Sequence, residues 1–266
     1  MTKLEKRLVA FSAALALMFG ATQTVGAMHI AEGYLSPGWC IGWGAVCIPF
    51  LTVGVIRIKK TVSNHRKTLI LLAMAGAYAF ILSALKIPSV SASSSHPTGT
   101  GLAAILFGPA SASVLGVIVL LFQAALLAHG GFSTLGANTF SMGVAGPLVS
   151  WGVYKLCQKC RINRLAGIFL AASLGDLFTY CITSIQLALD HPSEVGGVLA
   201  SAVEFLGVFA VTQVPLAIVE GLLTVVVMMG LEAYAKPELQ EIGYLKEAAV
   251  LASASFWESF CWPFAG

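Results

Sequence analysis

The chain has 266 residues, 58% of them hydrophobic and only 10% charged, with a mean hydropathy of +0.87. Apolar runs of spanning length in such a composition exclude an ordinary water-soluble domain and indicate an all-α, polytopic helical bundle in a membrane. The net charge of +3 decides little; where the basic residues fall decides the topology.

At the start, Lys3, Lys6 and Arg7 precede a short apolar run, 8–20, and Val25 and Ala27 are small residues placed for cleavage. The run is about 13 residues, short of the roughly 20 that cross a bilayer. Residues 1–27 therefore read as a cleaved signal peptide, the alternative being an uncleaved anchor that opens the membrane domain. Residues 28–234 read as the transmembrane domain and 235–266 as a tail without an assigned role.

Candidate spans follow at 39–58, 68–85, 110–128, 138–156 and 165–189, with Gly146-Pro147 as an expected kink in the fourth. The segment 101–107 is apolar but short, and Gly108-Pro109 breaks it. The stretch 198–234 is too long for one crossing, and 198–210 is expected to be re-entrant or to lie on the outer surface.

Arg57, Lys59, Lys60, Arg66 and Lys67 fall in one loop, and Lys155, Lys159, Arg161 and Arg164 in another, neither with an acid. Both loops are expected to face the cytoplasm. The loops holding Met28, His96 and Asp190/Glu194 are then outside. Parity requires the short segment at 98–108 to cross or half-cross, which gives about seven transmembrane helices with the N-terminus outside.

Cleavage after Ala27 would create a chelator. The new α-amine of Met28, the peptide nitrogen of His29 and its Nδ1 close fused five- and six-membered rings around one metal ion. His96, on the same side, can add a fourth nitrogen. Four nitrogens in a plane suit Ni(II), Cu(II) or low-spin Co(II) and fit tetrahedral zinc poorly; ions that take oxygen ligands are excluded. Met28, His29 and His96 are thus the candidate ligands. Glu32, Ser94, Ser95, His129 and Asn138 are candidates for holding or packing around them, with Ser94 and Ser95 placed to fix the His96 tautomer. Glu32 can equally be a surface carboxylate, His129 a packing residue beside Gly130-Gly131, and Asn138 a helix cap or a cross-helix bond.

Asp176, Glu204 and Glu220 lie inside apolar stretches, where acids mark functional sites or interhelical bonds. Bonding to Gln186, Gln213 or Thr212 is the favoured reading over an ion relay. The six cysteines form no framework. Cys40, Cys47 and Cys181 fall in spans as small hydrophobes, and Cys157-x-x-Cys160 has no second pair.

Several segments together resemble one family. They are Met28-His29-Ile30-Ala31-Glu32-Gly33, Leu82-Ser83-Ala84-Leu85-Lys86-Ile87-Pro88-Ser89-Val90 and Ser95-His96-Pro97-Thr98-Gly99-Thr100-Gly101-Leu102. Further on come Leu126-Leu127-Ala128-His129-Gly130-Gly131, Leu135-Gly136-Ala137-Asn138-Thr139-Phe140-Ser141-Met142-Gly143, Gly175-Asp176-Leu177 and Thr212-Gln213-Val214-Pro215 to Glu220-Gly221. The pattern resembles the CbiM family, the substrate-binding membrane components of energy-coupling-factor (ECF) cobalt importers.

The resemblance implies metal ligands at the mature N-terminal amine, His29 and His96, and Co(II) as transported substrate for cobalamin synthesis. It implies a CbiN-like small membrane subunit, a CbiQ-like transmembrane coupling subunit and a CbiO-like ATPase, in the plasma (inner) membrane. The chain itself carries no G-x-x-x-x-G-K-[ST]. Ni(II) is the alternative ion, since raw affinity favours it over Co(II). An intramembrane metalloenzyme or a metal sensor is the alternative class, although no H-E-x-x-H occurs. The tail after Lys236 has no place in the family pattern.

Overall fold

The computed structural model describes residues 29–64, 67–85, 87–88 and 94–245. Its apolar segments are helices because, in hydrocarbon, a helix satisfies every backbone N–H and C=O within one segment. In chain order they are α1 (Pro37–Asn64), α2 (Thr68–Ala84), α3 (Thr100–Phe107), α4 (Pro109–Leu127), α5 (135–159), α6 (Arg164–Asp190), α7 (Gly197–Tyr234) and α8 (Lys236–Glu241). Between α2 and α3, β1 (Ile87–Pro88) and β2 (Ser94–Ser95) form a two-residue antiparallel pairing. Residues 1–28, including the signal segment and Met28, and residues 246–266 lie outside the described residues. By length and composition α1, α4, α6 and α7 can each cross a membrane.

The short segment is α3, and Thr100 to Leu106 are all buried. It is enclosed by α2, α4, α5 and α6. That enclosure lets an eight-residue apolar helix end inside the bundle, because its ends are wrapped by protein. Pro109 then opens α4, where its missing N–H costs nothing.

Two proline-containing stretches differ from a plain reading of spans. In α5 the expected kink at Gly146-Pro147 takes the form of a π-helical turn over Thr139–Ala145, which shifts the hydrogen-bond register ahead of the proline. The small residues there serve packing: a Cβ on Gly146 would lie 2.1 Å from Thr179 Oγ1, so α5 and α6 touch closely. In α7, 198–210 and 211–234 form one 38-residue helix with Pro215 inside it. No break signal lies at the junction. Its length of about 57 Å exceeds the hydrocarbon thickness, so the excess emerges from that layer or is taken up by tilt.

The core divides by depth. Ile30, Leu35, Ala137, Tyr180, Leu187 and Phe209 cluster at the end that holds the N-terminal segment. Leu71, Leu106, Tyr154, Ile168, Leu231, Leu239 and Tyr244 cluster at the end that holds the two basic loops. The beginning of the tail belongs to this second cluster. Tyr244 donates a hydrogen bond to Glu232 at 3.0 Å, and Arg164 pairs with the same carboxylate. Leu239 is fully buried. Leu239→Ala is therefore expected to destabilise the bundle by about 2–5 kcal/mol, read as a lower melting temperature in detergent; an unchanged melt would mean that α8 is not part of the core.

Candidate metal site

The residues after Met28 are drawn into one end of the bundle. The polar backbone atoms of Ile30 are both held by α5 and the turn before it. Its N–H donates to Asn138 Oδ1 at 2.8 Å, and its carbonyl accepts from Asn138 Nδ2 at 3.0 Å and Thr134 Oγ1 at 2.7 Å. Asn138 thus bonds across elements. Glu32 accepts from the Ser133 N–H at 3.2 and 3.3 Å. Hydrogen bonds from Ser133, first from its side chain and then from its backbone, hold the Glu32 carboxyl below the usual range. A Cβ on Gly131 would lie 2.6 Å from Glu32 Cα, so glycine is what allows the two backbones to meet. Ser36 donates its N–H and hydroxyl to Asp190 at 2.7 and 2.6 Å, which ties the same segment to the end of α6.

This arrangement buries His29 among two other imidazoles. Ring centroids are 4.6 Å apart for His29 and His96, 4.8 Å for His29 and His129, and 4.9 Å for His96 and His129. One donor atom from each lies within 4.8 Å of the others. All three rings are buried.

Hydrogen bonds assign the ring nitrogens. His96 Nδ1 lies 2.9 Å from the Pro97 carbonyl. A carbonyl only accepts, so Nδ1 carries the hydrogen in the neutral ring and Nε2 keeps the lone pair. His29 Nε2 lies 2.9 Å from Gln123 Oε1. With the Gln123 oxygen facing the ring, Nε2 donates and the lone pair of His29 is on Nδ1. That nitrogen is the one nearest the chain's own backbone.

The loop carrying His96 is pinned from α6 and α7 by buried acids. Glu220 accepts from the Thr98 N–H at 2.6 Å and from its hydroxyl at 3.1 and 3.2 Å. Gln213 Nε2 donates to Asp176 at 2.6 Å and reaches the His96 carbonyl at 3.4 Å. Ser95 Oγ pairs with Thr212 Oγ1 at 2.7 Å. Gly99 has φ +68°, and a Cβ there would lie 2.6 Å from Ala79 Cα, so the loop can lie against α2.

His29, His96, His129, Glu32 and Asn138 therefore come together around one end, while Met28 lies outside the described residues. Ser95 is at the site and ties the loop to α7 through Thr212, and the His96 Nδ1 faces the Pro97 carbonyl. Ser94 pairs with Pro88 through β2, and its side chain lies outside the described residues. Asp176 bonds Gln213, as the interhelical reading expects, whereas Glu220 holds Thr98 and Glu204 is exposed. Sequence reasoning missed Gln123 and Thr134, and gave His129 only a supporting place. The available signal for Gln123 was a lone amide inside an apolar span.

The profile of the family described as "cobalt uptake substrate-specific transmembrane region" (CbiM) matches residues 29–239. The chain belongs to the CbiM family. It is 66% identical over 243 residues to the cobalt transport protein CbiM of Lachnoclostridium phytofermentans, covering 91% of this chain and 97% of the relative. It is 57% identical over 232 residues to that of Clostridium cellulovorans, covering 87% and 89%. Among solved structures, a transition-metal transporter superposes with a TM-score of 0.67 at 30% identity, covering 77% of this chain and 92% of the other. A truncated one gives 0.68 at 28% identity, covering 77% and 99%. The chain is accordingly a multi-pass membrane protein of a cobalt-transport family.

Two substitutions test the geometry. Gln123→Leu removes the acceptor on His29 Nε2 and is expected to weaken cobalt binding by about 10- to 100-fold, while Gln123→Glu, which keeps an acceptor, retains it; equal titrations for both would remove Gln123 from the site. Asn138→Leu releases Ile30 and is expected to raise the rate of proteolytic cleavage near residue 30 in the folded protein. An unchanged cleavage rate would mean that the clamp is dispensable.

Proposed function

We propose that this chain is the membrane substrate-binding subunit of an ATP-driven ECF-type cobalt importer. Co(II) is captured on the outer side by the Met28 α-amine, the His29 peptide nitrogen, His29 Nδ1 and His96 Nε2. The observation that carries this reading is the Gln123 bond to His29 Nε2, which leaves Nδ1 as the lone-pair nitrogen. Only Nδ1 can join the peptide nitrogen of its own residue in a six-membered chelate. His96 presents Nε2 for the complementary reason.

Cleavage after Ala27 supplies the amine, and no such chelate exists while the leader is attached. In this reading α1 to α7 make seven crossings, with α3 a partial one. Parity then puts His29, His96, His129 and Asp190 outside and the basic loops around Lys59 and Lys159 in the cytoplasm. The amine and peptide protons leave as the metal binds, so affinity rises with pH.

Energy comes from a CbiO-like ATPase acting through a CbiQ-like coupling subunit, with a CbiN-like small membrane subunit beside this chain. The cobalt is destined for cobalamin synthesis. Release requires residues 28–33 to withdraw from His96, which removes three of the four planar nitrogens together.

Cells that express the chain with these partners are expected to accumulate cobalt, and His29→Ala or His96→Ala to abolish accumulation; full uptake by both variants would overturn the reading. A disulfide between Glu32→Cys and Ser133→Cys is expected to stop uptake while leaving cobalt bound, with uptake returning on reduction. Uptake by the oxidised form would contradict withdrawal of the N-terminal segment.

A further inference from the structure

His129 has no place in the four-nitrogen plane, yet its ring stands about as close to His29 and to His96 as those two stand to each other: 4.8 and 4.9 Å against 4.6 Å. The chain turns sharply to put it there. Ala128 has φ 45°, in the left-handed region that L residues rarely adopt, and Gly130 has φ 77°. The His129 N–H donates to the Gln123 carbonyl at 3.2 Å, closing the end of α4 beside the residue that orients His29.

The chelate leaves little choice of position. In the plane, the neighbours of His29 Nδ1 are its own peptide nitrogen and His96 Nε2, and the amine is opposite. A third imidazole that is to bind the same ion must therefore approach from above or below that plane. Adjacent donors on bonds of about 2 Å stand about 3 Å apart. The three donor atoms now lie within 4.8 Å of one another, so modest inward rotation of the rings reaches that spacing.

We propose that His129 is a fifth, axial ligand of the transported ion and that it makes the site select Co(II) over Ni(II) and Cu(II). The inference rests on the planar set proposed above. Low-spin Co(II) has one electron in the orbital perpendicular to the plane and accepts a single strong axial donor. Planar Ni(II) has that orbital filled and must change spin state to take the same donor, and Cu(II) tolerates it only as a long, weak bond. The general order of affinities runs from Co(II) up to Ni(II) and Cu(II), so a cobalt site needs a feature that works against it. An axial imidazole supplies one.

The test is electron paramagnetic resonance of the intact, anaerobic, cobalt-loaded protein, with natural histidine and with histidine enriched in the heavy nitrogen isotope. An axial nitrogen splits each parallel cobalt line into a triplet, and the heavy isotope turns it into a doublet. His129→Ala and His129→Gln are expected to keep the low-spin signal, lose the splitting, and lower the ratio of cobalt to nickel bound in competition by about tenfold or more. A wild-type low-spin signal without the splitting, or variants that keep both splitting and ratio, would overturn the proposal. Should neither variant fold, the wild-type spectra decide alone. A high-spin cobalt signal would instead remove the planar set, and the axial assignment with it.

Discussion

The grip of Asn138 on the backbone of Ile30 decides whether this end of the bundle is a site or merely a surface. A short irregular segment ahead of the first helix would ordinarily be loosely held. Here its N–H and carbonyl are taken up by one side-chain amide, with Thr134 adding a second bond to the carbonyl. The residue on one side of Ile30 is then His29, buried among imidazoles, and two residues on the other side Glu32 is fastened to Ser133. Without the clamp, the hydrophobic burial of Ile30 and Leu35 would still attract the segment but would leave the direction of the His29 ring unset.

The second constraint acts from the opposite side. Asp176 and Glu220 are buried in helices of an apolar bundle, where an acid without polar partners is expensive. Each is placed against donors: Gln213 for Asp176, and the backbone and hydroxyl of Thr98 for Glu220. Those donors belong to, or touch, the loop that carries His96. The acids therefore act as anchors for an irregular segment that could not otherwise lie inside the bundle. His29 and His96 reach one another because two unrelated polar networks hold their backbones, one in α5 and one shared by α6 and α7.

The apolar helices were legible because hydropathy reports directly on what lipid selects. The short segment at 101–107 was legible as an apolar stretch closed by Gly108-Pro109, and it forms the buried helix α3. The π-turn in α5 was not legible, since a proline announces a disturbance of the helix without its form. The stretch 198–234 was legible as too long for one crossing, but its continuity as one helix past Pro215 was not, because helical hydrogen bonding needs no bilayer to continue. At the site, His29 and His96 stood out through chelate chemistry and through family likeness. Gln123 did not, because one glutamine in an apolar span has many uses, and only the 2.9 Å contact to Nε2 selects one of them. His129 was visible as a residue of the right depth, but nothing in a sequence says which way a ring after a left-handed alanine will point.

Cobalt transport follows from membership of the CbiM family, while the proposed ligand set depends on a processed N-terminus. The most direct test is the intact mass, under non-denaturing conditions, of the purified chain with its metal, for wild type and for His96→Ala. The account expects a wild-type chain that begins at Met28 and carries one cobalt ion, and a variant of the same length without it. A metal-loaded chain that still begins at Met1 would contradict the account, because the amine on which the proposed chelate depends would not exist.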